Sequence, residues 1–255
     1  MHDNERGYRA ICFDLDGTLL PMDIDEFMGA YFARIGAYAG ARGLDAQRFM
    51  AALKDGTYAM ASHDDGALNK DAFWAEFAKA YGAEGDALEE VRAIADEFYE
   101  SEFGLIGEGF AGNPDAPRAI DALVRKGYPL VLATMPMFPL RAVQHRLAWA
   151  GVDPAVFARI TTYENSTSVK PKHAYYAENL AALGLAGEDV LIVGNNTLED
   201  LAFCELGADA YLVTDWLLDP VGLDVDAVRH GTFAEFADWV ETLPDCKNPA
   251  CGIRK

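Results

Sequence analysis

Two aspartates one residue apart, Asp14 and Asp16, carry the first sign of chemistry in this chain. They follow a short apolar run, residues 9–13, bounded by turn residues and read as a buried strand. In extended backbone, residues i and i+2 point to one side, so both carboxylates face one site while Leu15 turns away. Like charges held that close are costly unless a cation or a shared proton relieves them. A hard divalent ion such as Mg²⁺, which prefers oxygen ligands, is the natural relief. Gly17 allows a sharp exit from the strand. Taken alone, Asp-x-Asp-Gly also reads as a pair of turn aspartates in a capping role; its place after a buried strand favours the chemical reading.

Other polar residues collect at corresponding places further along. In open parallel sheets, ligands sit beyond the carboxyl ends of the strands. A strand over 129–134 delivers Thr134, and a strand over 160–163 is followed by a polar loop ending at Lys170 and Pro171. A third, over 190–193, is followed by Gly194, Asn195, Asn196, Thr197, Leu198, Glu199 and Asp200. Two carboxylates, a hydroxyl, an ammonium and an acidic-amide cluster therefore converge on one sheet edge. Structure alone gives little reason for that convergence.

The elements that position these residues are read from periodicity. Residues 21–105 are rich in Ala, aromatic and acidic residues, with apolar positions at helical spacing and no strand-like alternation. Several helices are expected there, with loops near Gly56, 62–66 and 82–86. Gly and Pro punctuate 107–117. Beyond it, helices over 116–126, 140–150, 173–183, 197–206 and 233–243 alternate with the strands above and one over 210–213. Regular alternation implies βαβ units and a mostly parallel sheet with helices on both faces. The expected fold is α/β, a doubly wound parallel sheet built from 1–20 and 107–255, with a helical unit over 21–106 inserted after the first strand.

Composition limits the partners. The net charge is −20, with 21 Lys plus Arg against 41 Asp plus Glu. That balance argues against nucleic acid, which is bound through basic patches, and against an anionic membrane surface. No apolar run approaches the roughly 20 residues that span a bilayer. The polar lead, 1–10, lacks the apolar stretch of a signal peptide. Four cysteines, Cys12, Cys204, Cys246 and Cys251, do not make a disulfide framework or, with His230, a zinc spacing. A cytoplasmic protein, monomer or homodimer, handling metal cations and small molecules is expected.

Residues 13–19, Phe-Asp-Leu-Asp-Gly-Thr-Leu, resemble the first motif of the haloacid dehalogenase superfamily. Leu132-Ala-Thr134 resembles the second, Lys170-Pro171 the third and 193–200 the fourth, in the family's order. The helical insert sits where that family places a C1 cap. The resemblance implies that Asp14 is a nucleophile forming an aspartyl-phosphate. Asp16 would protonate the leaving oxygen and then activate water. Thr134, the backbone N–H of Met135, and Lys170 would bind the phosphoryl group and neutralise its charge. Mg²⁺ would be held by Asp14, Asp16, Asn196 and Asp200. Relatives that cleave carbon–halogen bonds lack the second aspartate of the first motif, so Asp16 favours phosphoryl transfer.

Two positions depart from the pattern. Asn196 stands where the family presents an aspartate to the metal, which removes one negative charge. Met135 replaces a small polar residue and makes the pocket floor more apolar. The implied activity is Mg²⁺-dependent hydrolysis of the phosphate monoester of a small metabolite beneath the cap. A binding module on a weakened catalytic frame and a phosphotransferase or mutase are the alternatives. Tyr31, Tyr38, Tyr58 and His63 are candidate cap contacts, although aromatic residues at helical spacing are more often core.

Overall fold

The computed structural model describes residues 7–250. The apolar run before Asp14 forms β1, Ala10–Phe13, with every residue buried. It lies at the centre of a six-stranded sheet in which every paired neighbour is parallel. The other strands are β2 (Leu130–Leu132), β3 (Phe157–Ile160), β4 (Val190–Gly194), β5 (Asp209–Val213) and β6 (His230–Gly231), in the order β3-β2-β1-β4-β5-β6. Chain order reverses at β1, between β2 and β4. That switch point is where an open α/β sheet leaves a crevice for a ligand.

Alternation along the strands divides the apolar residues between two faces. Ile11, Phe13, Leu130, Leu132, Leu191 and Val193 pack with α5 (Asp115–Arg125), α6 (Leu140–Trp149) and α8 (Phe233–Thr242). Ala10, Cys12, Val131, Val190 and Ile192 pack on the other side against Tyr175, Tyr176 and Leu180 of α7 (His173–Leu183). The doubly wound α/β sheet anticipated from the alternation is the fold observed.

Between β1 and α5 lie α1 (Ile24–Ala41), α2 (Ala46–Ser62), α3 (Asn69–Tyr81) and α4 (Asp86–Ser101), followed by a 3₁₀ segment, Phe103–Gly109. Asp23 caps α1, accepting from the Asp25 and Glu26 amides at 2.9 and 3.0 Å. The insert shares its apolar core with one face of the sheet. Phe27 packs against Phe103, Phe138 and Trp149 with ring centroids 6.1, 6.0 and 6.3 Å away. The start of α3 is tied to the sheet's loops as well. The buried Asn69 donates from Nδ2 to the carbonyls of Pro136 (3.1 Å) and Ser168 (3.0 Å), and the Lys70 amide donates to Tyr163 O at 2.8 Å.

Four details differ from expectation. Gly56 lies inside α2 rather than in a loop; a Cβ there would come within 2.8 Å of the Phe73 ring, so glycine serves the close approach of α2 to α3. The third strand ends at Ile160 because Asn165 captures the next turn. Its Oδ1 accepts from the Thr162 amide and its Nδ2 donates to Ile160 O. The segment expected as a helix over 197–206 is a turn followed by a 3₁₀ segment, Leu201–Leu206. Within that turn the Asn196 side chain accepts from the Leu198 and Glu199 amides, and the Asp200 side chain from the Asn196 amide. β6 is two residues long, too short for periodicity to reveal. No described helix is long and apolar enough to cross a membrane, and Cys251 lies outside the described residues.

Candidate active site

β1 ends at Phe13, and the Asp14 amide still donates to Val193 O at 2.9 Å, which holds the carboxylate at the β1–β4 edge. The next residues form a tight turn in which Gly17 has φ of +79° and its face is covered by the Asn195 side chain. A Cβ would collide with that amide, so glycine is required on both counts. Thr18 donates to Asn195 Oδ1 at 3.0 Å, and Asn195 Nδ2 donates to Trp216 O at 2.6 Å. The first loop and the loop after β4 are thereby locked together.

Lys170 reaches the same edge from the loop after β3. Its Nζ donates to Asp14 Oδ1 at 2.8 Å and to Asp200 Oδ1 at 2.6 Å, and all three side chains are largely buried. Burial acts to lower the Lys170 pKa, but the two carboxylates outweigh it and hold the ammonium well above its ordinary value. Burial pushes the Asp14 carboxyl up to about 8; Lys170 opposes that, while Asp200 and Asp16 add to it. Thr134 is held by its carbonyl, which accepts from the Thr161 hydroxyl (2.8 Å) and the Tyr175 hydroxyl (3.0 Å). Its own Oγ1 is buried without a partner.

Asp16 has a different companion. Arg146, from the last turn of α6, donates through Nη1 to Asp16 Oδ2. The guanidinium lies against aromatic rings, 4.7 Å from the Phe138 centroid and 5.9 Å from that of Phe27. Its Nε and Nη2, and Asp16 Oδ1, are buried without partners. Burial raises the Asp16 pKa against the pull of Arg146 and Lys170. Arg146 was not singled out by motif. The available signal was a charged residue on the buried face of α6, beside Ala142, Val143 and Leu147.

Asp14, Asp16, Thr134, Met135, Asn196, Arg146 and Glu199 all line one cavity of about 310 Å³ between the sheet edge and the helical insert. Lys170 and Asp200 sit behind Asp14. Of the expected cap contacts, Tyr31 lines the cavity, while Tyr38 and Tyr58 do not and Tyr58 is exposed. His63 is held in the α2–α3 loop by Asp65 and Asn69, at 3.1 and 2.8 Å.

The residues present do not fit Mg²⁺ in the expected way. A hard cation needs several converging oxygens. The Asn196 oxygen accepts from the Leu198 and Glu199 amides at 3.0 and 3.1 Å, leaving an NH₂, which is a donor. Both Asp200 oxygens are taken, one by Lys170 and one by the Asn196 amide at 2.9 Å. Among the described residues no group of three or more His, Cys, Asp or Glu is placed to hold an ion. Asn196 and Asp200, anticipated as ligands, thus have hydrogen-bonding duties here, and the cations beside Asp14 and Asp16 are Lys170 and Arg146.

The fold has many solved counterparts. A "predicted phosphoglycolate phosphatase" from Haemophilus somnus superposes with TM-score 0.51 at 18% identity, covering 92% of this chain and 99% of that one. A phosphatase from Thermococcus onnurineus gives 0.55 at 15%, covering 93% and 99%. An L-2-haloacid dehalogenase gives 0.53 at 16%, covering 92% and 99%. Likeness at these identities speaks for the fold alone. A search of curated proteins finds no match. The model of the haloacid dehalogenase-like hydrolases matches residues 8–205, a span that takes in β1, the whole helical insert and every strand-end loop described above. On that match the chain belongs to the haloacid dehalogenase-like hydrolase family.

Proposed function

We propose that this hydrolase cleaves a phosphate monoester of a small molecule through an aspartyl-phosphate on Asp14. The observation that carries the reading is the presence of two carboxylates on one cavity wall, each with its own cation. Asp14 Oδ1 is held by Lys170, leaving Oδ2 to attack phosphorus. As the Asp14–phosphorus bond forms, the bond to the leaving oxygen breaks, and Asp16 supplies the proton that releases an alcohol. The Asp16 carboxylate then takes a proton from water, whose oxygen attacks phosphorus and frees Asp14 and inorganic phosphate. Lys170 and Arg146 supply positive charge where the phosphoryl oxygens gather it. The Thr134 hydroxyl and the Met135 amide are the neutral donors of the same site. On the donor set described above, no step is assigned to Mg²⁺.

A carboxylate in the position of Asp16, poised as an acid, is what separates this reading from carbon–halogen cleavage, which has no leaving oxygen to protonate. The test is release of phosphate from acetyl phosphate and p-nitrophenyl phosphate, alongside release of chloride from 2-chloropropionate. Phosphate release with a radiolabelled acyl-phosphate retained on wild type and missing in Asp14→Asn is expected. Chloride release without phosphate release would overturn the reading. Faster transfer to added alcohols than to water would move it to a phosphotransferase.

A further inference from the structure

The cavity above Asp14 and Asp16 is walled on the insert side by Ile35, Leu53, Met60, Phe73 and Phe77. The hydroxyls on that side each already make one bond within the protein. The Thr57 hydroxyl donates to Leu53 O at 2.8 Å, and the Tyr31 and Tyr99 hydroxyls bond each other at 2.8 Å. Asp96 is the charged lining residue contributed by the insert, and it is exposed. Three more lining residues, Ile24, Phe32 and Leu218, are large, apolar and 36–42% exposed, so apolar side chains are also open to solvent around this cavity. Met135 continues the apolar surface on the sheet side.

Away from Asp14 and Asp16, a polyol or sugar would exchange water for insert walls that offer its hydroxyls few partners, and buried unpaired hydroxyls are unfavourable. An apolar body would bury its surface against aromatic and aliphatic side chains at no such cost. A cavity of about 150 Å³ accommodates benzene; this one, about 310 Å³, takes a ring and a short linker. Resting on the phosphomonoester reading above, we infer that the leaving group is an apolar, ring-sized alcohol, aryl or branched alkyl. The ester oxygen meets Asp16, and the hydrocarbon lies between α1, α2 and α3. Hydrolysis then yields that alcohol and inorganic phosphate.

The test compares 2-phenylethyl phosphate with glucose 6-phosphate, both esters of primary alcohols, using acetyl phosphate as a substrate with no body to place in the cavity. The expected result is a kcat/KM at least about 100-fold higher for the phenylethyl ester, with Met60→Gln cutting its ratio to acetyl phosphate roughly tenfold. Comparable kcat/KM for glucose 6-phosphate, with acetyl phosphate turned over, would overturn the inference and leave the phosphatase reading standing. If none of the three phosphates is turned over, the phosphatase reading fails, and calorimetry decides the cavity's preference. Binding of 2-phenylethylphosphonate at least about 100-fold tighter than glucose 6-phosphate supports an apolar ligand; equal binding overturns it.

Discussion

Two carboxylate–cation pairs stand side by side at the end of β1, and they are built in opposite ways. Lys170 is closed: it lies between Asp14 and Asp200, and burial makes each member dependent on the others. Arg146 is open: one bond to Asp16, aromatic rings against its face, and two buried nitrogens with nothing to donate to. A buried charge with unmet donors is expensive. The comparison teaches that the first pair is closed upon itself, whereas the second leaves donors unspent; on the proposed function the first holds the nucleophile and the second meets the substrate's anion.

The sharpest way to break that comparison is at the nucleophile. Asp14→Asn should abolish turnover, by on the order of 10⁴-fold or more, with circular dichroism unchanged. Retention of most activity would remove Asp14 from its role and make both pairs structural. Next in size is Lys170→Met, which leaves Asp14 and Asp200 buried without their cation. Activity should fall roughly 1,000-fold, and stability in urea should drop by about 3–5 kcal/mol. A stable variant would show that the closed pair is not closed.

Arg146→Met tests the other side. Methionine fills the same space against Phe138 and Phe27, and Asp16, whose pKa burial already raises, can take a proton. Activity should fall roughly 100-fold while urea stability stays within about 1 kcal/mol of wild type. Equal destabilisation in the two variants would erase the distinction between them. The smallest effect concerns the metal. Chelation with EDTA should alter wild-type turnover by less than about twofold, because the Asn196 oxygen is engaged and its NH₂ repels cations. Asn196→Asp frees a second oxygen and should bind Mg²⁺ roughly tenfold more tightly by calorimetry. Loss of wild-type turnover in EDTA would show that the site recruits a cation despite this donor set.

Much of the frame could be read before folding. The alternating apolar runs and helical spacings located five of six strands to within a few residues, and α7 with the bounds observed. Hydrophobic period is a local property of the chain and survives without tertiary information. The misreadings have local causes as well. Gly56 reads as a loop until Phe73 is seen to press against it, and 197–206 reads as a helix although a turn and the 3₁₀ segment Leu201–Leu206 form there.

The candidate site divides along the same line. Asp14, Asp16, Thr134 and Lys170 were recognisable because motifs at strand ends keep fixed spacings, and a parallel sheet brings strand ends together. Arg146 was not, since its partner lies 130 positions away and its own neighbours are those of an ordinary amphipathic helix. The engagement of Asn196 and the pairing of the Tyr31 and Tyr99 hydroxyls on the insert's wall were equally hidden. Sequence by itself determined which side chains carry charge and which strand ends deliver them. Only the tertiary structure decided which charges are already neutralised and which hydrogen-bonding groups are already spent, because those are properties of distances between segments far apart in the chain.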